Sequence, residues 1–365
     1  MALTLEETRE VLKDKDNKFI IFHDTETTGT LKTDRILQSA HALYVLDEEN
    51  KDIVFIDFLE ENILPPVAIS PGSAAVHGIW YPDLEGAPEW KNSLSKEFFE
   101  LFIENNVFYC AHNSDFDIGQ LEKEGIYYPS NLVIDTLQIA KHFNVDNEDI
   151  ESNGLQYLRY YYNFDMSPDF KDFLSDYGIE KLQPHTALSD IAVLAYYYVQ
   201  LMKMNAFKSA EEAVDLTNTY VFTDKVSFGN VFEQGTKISE AITSSYKQYG
   251  KNKRGIDYFN WAISNMGNIS PDTKITLAKI AIEKTKTGDL SIHDSALTPF
   301  KYIAATFLPE YDNYLSESGF NVSQAKEATI KNIKKSIQEI EEAGEEDKRY
   351  SPYANLKKIL KYIQD

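Results

Sequence analysis

The first half of the chain alternates short apolar runs with segments of helix-like spacing. Runs of strand length occur at Lys18–His23, Ala42–Leu46 and Ile53–Phe58. The last two flank the polar, turn-like segment Asp47–Lys51. Apolar runs bounded by turn residues are typical of β-strands, and short connections favour antiparallel neighbours. These runs therefore predict a three-stranded antiparallel meander.

Helices and one further strand are predicted next. Segment Asn92–Asn105 places Leu and Phe side chains at helical spacing, and Val107–Ala111 is another apolar run of strand length. Between residues 187 and 198, apolar side chains define one face of a final helix. The order βββαβα, followed by helices, predicts an α/β layer built on a mixed β-sheet.

The second half is mainly helical by pattern. Apolar residues recur at helical spacing in Ser270–Thr285, Ala325–Glu342 and Tyr353–Gln364, and the breaks between them contain glycine and proline. The chain has no long internal repeat and no low-complexity run. We therefore expect a mainly α-helical C-terminal region to follow the sheet.

Length and charge indicate two domains. At roughly 150 residues per domain, the 365 residues of the chain suffice for two. Residues 1–204 carry 15 basic and 36 acidic side chains, whereas residues 205–365 carry 21 and 22. This asymmetry and the polar stretch Asn205–Glu212 predict one domain over 1–204 and a second region over 205–365.

Composition also limits the partners and the compartment. A net charge of −22 argues at first against nucleic acid and anionic membranes, because both attract positive surfaces. One cysteine cannot form an internal disulfide, and the N-terminus lacks the pattern of a signal peptide, so a cytoplasmic location is expected. The most apolar stretch, Ile191–Met202, is too short to span a bilayer, and no membrane partner is expected.

Two carboxylates follow the first predicted strand. Asp24 and Glu26 are two residues apart, so an extended chain points both to the same face. Carboxylates placed together on a buried strand repel each other unless a cation lies between them, and Mg²⁺ and Mn²⁺ prefer such oxygen ligands. The alternative is a strand that runs into a polar turn, with both side chains solvated.

A further carboxylate follows the strand at Val107–Ala111. Residues 112–117 read His-Asn-Ser-Asp-Phe-Asp, which predicts that Phe116 turns inward and that Asp117 lies in the first turn of a helix. Ligands bind at such strand ends in open α/β sheets. The alternative is that Asp115 or Asp117 is only the N-cap of this helix.

A histidine and an aspartate lie at the start of the final helix. His185 precedes the helix, and Asp190 falls in its first turns among Ala, Leu, Ile and Val. A carboxylate in such an apolar segment requires a metal ion or a charged partner. An isolated histidine is also common as an ordinary surface or core residue, and that interpretation stays open for His185.

In this order, the three segments resemble the exonuclease motifs of the DEDDh family of 3′–5′ exonucleases, which includes bacterial proofreading subunits. The resemblance covers residues 16–203. Ala75–Ile79 is similar to the family's His-Gly-Ile segment, and Ile134–Leu137 is similar to its Asp-Thr segment. The four-residue gap between His185 and Asp190 resembles the histidine subgroup rather than the tyrosine subgroup.

The resemblance implies a ribonuclease-H-like fold and a two-metal site. Four carboxylates are implied as ligands of two Mg²⁺ or Mn²⁺ ions, namely Asp24, Glu26, Asp117 and Asp190. His185 is implied as the general base. Asp115 is excluded, because the family's aspartate follows the phenylalanine.

Contacts to the terminal nucleotide are also implied by the resemblance, for Thr27, His77 and Asn113. Each of these could equally serve as a turn or capping residue. The connection Asn163–Pro184 is longer than in compact members of the family. The sequence therefore does not decide where this loop lies or whether a duplex substrate can reach the site.

In the second half, residues 225–263 loosely resemble a small Phe-Gly / Tyr-x-x-Trp module that is sometimes attached to exonuclease domains. Aromatic and basic side chains interleave there, at Tyr246, Lys247, Tyr249, Lys251, Lys253 and Arg254. This composition is suited to binding single-stranded nucleic acid, because basic side chains contact phosphates and aromatic rings stack on bases. A solvated loop is the alternative.

We therefore expect a metal-dependent 3′–5′ exonuclease that releases nucleoside monophosphates from DNA, most of all from a single-stranded 3′ end. RNA as substrate and a non-catalytic interaction protein on an exonuclease scaffold are alternatives. The complete set of motif residues argues against the last of these. The acidic first half predicts weak, salt-sensitive binding, with a firmer hold from residues 205–365 or from a protein partner of that region.

Overall fold

The computed structural model of the chain describes residues 3–31, 33–147, 149–183, 185–226, 228–266, 269–343 and 360. The chain divides into two compact units, Met1–Thr219 and Tyr220–Asp365, which we call the first and second units. Each has its own buried apolar cluster.

A five-stranded mixed sheet forms the centre of the first unit. Its strands are β1 (Phe19–Thr27), β2 (Ile36–Asp47), β3 (Asp52–Asn62), β4 (Phe108–Ala111) and β5 (Val133–Asp135). The strand order is β3-β2-β1-β4-β5. Strands β1 to β3 pair antiparallel, whereas β4 and β5 continue the sheet in parallel with β1. The expected antiparallel meander and the expected mixed sheet are confirmed.

Nine helices of the first unit lie within the described residues. They are α1 (Leu5–Val11), α2 (Pro71–His77), α3 (Leu94–Glu104), α4 (Ser114–Lys123), α5 (Thr136–Phe143), α6 (Leu155–Tyr161), α7 (Pro168–Ser175), α8 (Ala187–Lys203) and α9 (Ala210–Thr217). Helix α8 packs across β1, β2 and β3, and most of its side chains are buried. The apolar face predicted for residues 187–198 is therefore the central helix contact of this core.

The end of β1 and the end of the first unit differ from the boundaries expected from the sequence. Strand β1 does not end before Asp24 but continues through Thr27, because its backbone keeps pairing with β2 as far as Ile36. The first unit extends beyond residue 204, because α9 packs against β5 and α5. Both differences follow from long-range pairing, which the local pattern does not contain.

The second unit is mainly helical, as expected. Its helices are α10 (Ile238–Ala241), α11 (Gly255–Asn265), α12 (Pro271–Lys286), α13 (Thr298–Phe307), α14 (Asp312–Glu317) and α15 (Val322–Ala343). A hairpin of β6 (Ser245–Gln248) and β7 (Lys251–Arg254) precedes α11 and was not predicted. The helix expected at Tyr353–Gln364 lies outside the described residues except for residue 360. In the part of the chain that is described, no helix combines the length and apolar character of a membrane span.

Candidate active site

The carboxylates of β1 lie on one face of the strand. Asp24 and Glu26 are half-buried, whereas the intervening Thr25 is buried against the opposite side. This alternation is the period of two that an extended strand imposes. One carboxylate oxygen each from Asp24, Glu26 and Asp190 lies within 4.8 Å of the other two. Residues far apart in sequence thus form one acidic cluster at the sheet.

Asp117 is hydrogen-bonded to Thr25, the residue between Asp24 and Glu26 on the same strand. It lies on α4 and is 3% exposed. Its Oδ1 accepts hydrogen bonds from the Thr25 backbone N–H at 3.0 Å and from the Thr25 hydroxyl at 2.7 Å. Asp115 is exposed on the same helix, which agrees with its exclusion. Phe116, which was expected to turn inward, is half-buried, and Asp117 beside it is buried.

Asp135 organises the helix that carries Asp117, a role that was not predicted from the sequence. Its carboxylate, at the end of β5, accepts from the backbone N–H groups of Asn113 at 2.9 Å and Ser114 at 3.2 Å. It also accepts from the N–H of Leu137 at 2.9 Å, at the start of α5. One buried carboxylate therefore satisfies the first N–H groups of two helices. Asn113, and neither Asp115 nor Asp117, occupies the N-cap position of α4.

Asp190 is held by a chain of polar contacts that begins on α6. Gln156 Nε2 donates to Asp190 Oδ1 at 2.5 Å, and Arg159 donates to Gln156 Oε1 at 3.0 Å. The buried Arg159 is in turn fixed by two hydrogen bonds to the Asp165 carboxylate, at 2.7 and 2.8 Å. These contacts fix the carboxylate orientation of Asp190. No local motif signals them, because their members come from separate segments.

Burial and mutual repulsion make this cluster electrostatically unfavourable. Burial, followed by the charge of Asp117, raises the pKa of Asp24 well above its usual range. Burial, Asp190 and Asp117 raise the pKa of Glu26 to about 8. Burial raises the pKa of Asp117 to about 7 despite its hydrogen bonds from Thr25. Such a set of oxygen donors keeps protons at neutral pH unless cations replace them, which is the donor chemistry of a divalent metal site.

Burial also raises the pKa of Asp190, while His185, Gln156 and Arg159 oppose that rise. His185 itself is exposed and lies in the turn before α8, with a φ of 64°. Its backbone N–H donates to Asp190 Oδ2 at 3.2 Å. A left-handed backbone is uncommon for residues other than glycine, and such conformations are enriched at functional sites. The turn thus brings His185 next to the acidic cluster.

The three implied nucleotide contacts occupy different environments. Thr27 is buried, and its hydroxyl donates to the Gly29 carbonyl at 2.6 Å. His77 is also buried, with Nε2 at 3.3 Å from the Thr27 carbonyl, and its Nδ1 accepts from the Ile79 N–H at 3.0 Å. Both side chains use these contacts to fix the end of β1. Asn113 is exposed, and its side chain makes no capping hydrogen bond to α4.

The loop after β1 depends on a glycine. A Cβ atom at Gly29 would lie 2.3 Å from Asp34 Oδ2. Asp34 cannot move away without cost, because its carboxylate accepts from the Thr28 hydroxyl at 2.9 Å and the Leu31 N–H at 2.7 Å. The Thr-Thr-Gly sequence after Glu26 is thus explained by close packing of the loop.

Comparisons with known proteins find matches to the first unit. Residues 21–198 match the family described as Exonuclease, RNase T. The DNA polymerase III PolC-type of Staphylococcus saprophyticus is 30% identical over 199 residues, which cover 52% of this chain and 12% of that protein. The PolC-type polymerase of Staphylococcus aureus is 27% identical over 194 residues, with the same two shares. The chain thus spans about an eighth of the length of these curated relatives.

Two solved structures are also similar. Exonuclease X in complex with 5′ overhanging duplex DNA has a TM-score of 0.41 at 20% identity, and the match covers 54% of this chain and 99% of that one. Escherichia coli exonuclease I in complex with a dT13 oligonucleotide has a TM-score of 0.40 at 13% identity, over 94% of this chain and 99% of that one.

Proposed function

Because residues 21–198 match the exonuclease family RNase T, we propose that this chain is a metal-dependent 3′–5′ exonuclease acting on DNA. In the proposed reaction, the 3′-terminal phosphodiester bond is hydrolysed and a nucleoside monophosphate is released. The observation that carries the proposal is the convergence of Asp24, Glu26 and Asp190 within 4.8 Å, together with the buried Asp117 of α4, which is hydrogen-bonded to Thr25 of β1. A structural core has no use for one buried and three half-buried carboxylates placed together.

The residues of the cluster fit a divalent metal centre. Hard cations such as Mg²⁺ and Mn²⁺ take carboxylate oxygens. Burial is the largest cause of the raised pKa values of Glu26 and Asp117, followed for Glu26 by the charges of Asp190 and Asp117, and a bound cation would offset both effects. We propose that four side chains hold two such ions, namely Asp24, Glu26, Asp117 and Asp190. Bound there, divalent ions supply a nucleophilic water and stabilise the leaving 3′ oxygen.

The protein's own groups orient this centre and handle the proton. Thr25 holds Asp117 with two hydrogen bonds, and Gln156 fixes the Asp190 carboxylate. We propose that the His185 imidazole accepts the proton of the attacking water, because histidine is the side chain best suited to that task near neutral pH. The backbone contact between His185 and Asp190 supports this placement.

Substrate contacts remain part of the proposal. Thr27 and His77 would shape the wall of the nucleotide site at the end of β1, since their polar atoms already bond the backbone there. Asn113, exposed at the start of α4, would donate directly to the terminal nucleotide. DNA is favoured over RNA because the PolC-type relatives are DNA polymerases.

End-labelled substrates test the proposal. The full chain is incubated with 5′-labelled and 3′-labelled single-stranded DNA, matched RNA and duplex DNA, each with Mg²⁺, Mn²⁺ or a chelator. We expect immediate mononucleotide release from the 3′ label, a descending ladder from the 5′ label, and no reaction in chelator. Mononucleotides released first from the 5′ end would refute the polarity, and faster cleavage of RNA than DNA would refute the substrate.

A further inference from the structure

The β6–β7 hairpin is a basic projection in an otherwise balanced unit. Residues 220–365 carry 20 basic and 19 acidic side chains, but Ser245–Arg254 contains four basic residues and no acidic one. Residues 1–219, in contrast, carry 16 basic and 39 acidic side chains. A polyanion is therefore attracted more strongly by the hairpin than by the acidic first unit.

The tip of the hairpin holds a tyrosine in an unfavourable backbone conformation. Tyr249 and Gly250 link the strands, with φ values of 51° and 76°. Such a two-residue turn favours Asn-Gly, because both positions require positive φ. Tyr249 is 94% exposed, so no packing within the described unit explains its presence. A strained position that displays an aromatic ring to solvent indicates a binding role.

A cluster of aromatic side chains packs against the hairpin. Tyr246 pairs with Lys253 across the strands, and its ring packs against Tyr258 at 6.0 Å between centroids. Tyr258 in turn stacks with Trp261 at 6.2 Å and an interplanar angle of 28°. Trp261 is 54% exposed, so it presents a large ring surface to solvent. Gly229 permits this arrangement, because a Cβ atom there would lie 1.9 Å from the Tyr258 hydroxyl.

The hairpin lysines are available to a ligand. Among the described residues, neither Lys247 nor Lys251 forms an ion pair, and Lys253 donates only to the neutral Gln248, at 2.7 Å. Arg254 differs, because it pairs with Asp257 and Asp294 and so anchors the base of β7. Three lysines without carboxylate partners thus lie beside exposed aromatic rings. Proteins that bind single-stranded nucleic acid use these two kinds of side chain, the cations for phosphates and the rings for unpaired bases.

We propose that the hairpin and Trp261 form a binding site for single-stranded nucleic acid, separate from the acidic cluster of the first unit. Lys247, Lys251 and Lys253 contact the phosphates. The rings of Tyr249 and Trp261 stack on unpaired bases. A duplex fits this site poorly, because its bases are already stacked and paired, so the site selects single strands. The proposal concerns binding and does not depend on hydrolysis.

Fluorescence anisotropy tests the electrostatic part. The full chain is titrated into labelled oligo-dT of about 20 nucleotides, in chelator and over a range of salt concentrations. The triple variant Lys247→Ala, Lys251→Ala, Lys253→Ala should bind about tenfold more weakly, and its log–log salt slope should fall by about 2, at roughly 0.7 per lost phosphate contact. The matched control removes three exposed lysines of α15, namely Lys331, Lys334 and Lys335. It should bind within about twofold of the unaltered chain.

Tyr249→Asn tests the stacking part without loss of fold, because asparagine suits the turn better than tyrosine. We expect about fivefold weaker binding or more, with an unfolding temperature that is unchanged or higher. Unlabelled blunt duplex should compete poorly with the labelled strand. Equal losses in the two lysine triples, full affinity in Tyr249→Asn, or effective competition by duplex would each overturn the proposed site.

Discussion

Replacing Glu26 by glutamine should stabilise the metal-free protein. Burial and the neighbouring carboxylates raise the pKa of Glu26 to about 8, against 4.5 for an ordinary glutamate. At pH 7 the folded chain therefore keeps a proton that the unfolded chain releases. Stability connected with this group is fully present below pH 4.5 and is lost as the pH rises toward 8. Glutamine, which has the same shape but does not ionise, removes that loss.

The expected gain follows from the pKa difference. Between pH 4.5 and pH 7 the free energy of unfolding falls by about 1.4 kcal/mol per pH unit, which amounts to roughly 3 kcal/mol of lost stability. Solvent screening of the partly exposed carboxylate reduces this to about 2 kcal/mol. For a unit of this size, such a gain raises the unfolding temperature by about 4–8 °C.

Thermal unfolding followed by circular dichroism in chelator measures this gain at pH 4.5 and pH 7. Glu26→Gln should unfold at higher temperature than the unaltered chain at pH 7 and at the same temperature at pH 4.5. Glu122→Gln, an exposed change on α4, is the matched control and should have no effect at either pH. Addition of Mn²⁺ should then stabilise the unaltered chain more than Glu26→Gln. A lower unfolding temperature for Glu26→Gln in chelator at pH 7 would refute the reasoning.

Three further predictions concern the metal and the supporting residues. Mn²⁺ affinity, measured by calorimetry, should rise between pH 6 and 8.5, because Glu26 and Asp117 must release protons as metal binds; a flat profile contradicts this. Arg159→Met should weaken Mn²⁺ binding about tenfold, since Gln156 and Asp190 lose their support. Unchanged affinity would argue against a role of these hydrogen bonds in positioning the metal ligand. Gly29→Ala should lower stability by about 1–3 kcal/mol because of the Asp34 contact, whereas Gly119→Ala, in open space on α4, should raise it by up to about 1 kcal/mol; denaturant unfolding compares the two.

Local pattern predicted the parts of the site that depend on one strand or one helix. Asp24 and Glu26 share a face because alternate residues of a strand do so, and this holds wherever the strand ends. Asp117 was placed correctly in the first turn of α4, since an apolar strand precedes it. The order of strands and helices likewise followed from runs of apolar residues, because those residues fill the core.

Long-range contacts could not be predicted in the same way. Gln156, which is held by Arg159, contacts Asp190 only because α6 packs against α8. No spacing in the sequence encodes this packing. Asp135 is an intermediate case: it ends a strand as the other carboxylates do, but its role in capping two helices depends on the register of β4 and β5.

The hairpin of the second unit was missed for a different reason. Its strands, Ser245–Gln248 and Lys251–Arg254, are short and polar, so they carry no alternation of apolar residues. Its turn is Tyr-Gly rather than the Asn-Gly that usually signals a hairpin. The basic and aromatic residues of this segment are nevertheless recognisable as candidates from the sequence, because their composition alone matches nucleic-acid recognition.

The most direct test of the proposed nuclease compares Asp117→Asn with Asp115→Asn. The two aspartates lie two residues apart on α4, but Asp117 is buried against Thr25 and Asp115 is exposed. Metal-dependent nucleotide release from single-stranded DNA should fall about a thousandfold or more in Asp117→Asn, which corresponds to about 4 kcal/mol of lost transition-state stabilisation. Asp115→Asn should remain within about twofold of the unaltered chain. Full activity in Asp117→Asn, or equal losses in both variants, would contradict a catalytic role for the buried carboxylate cluster.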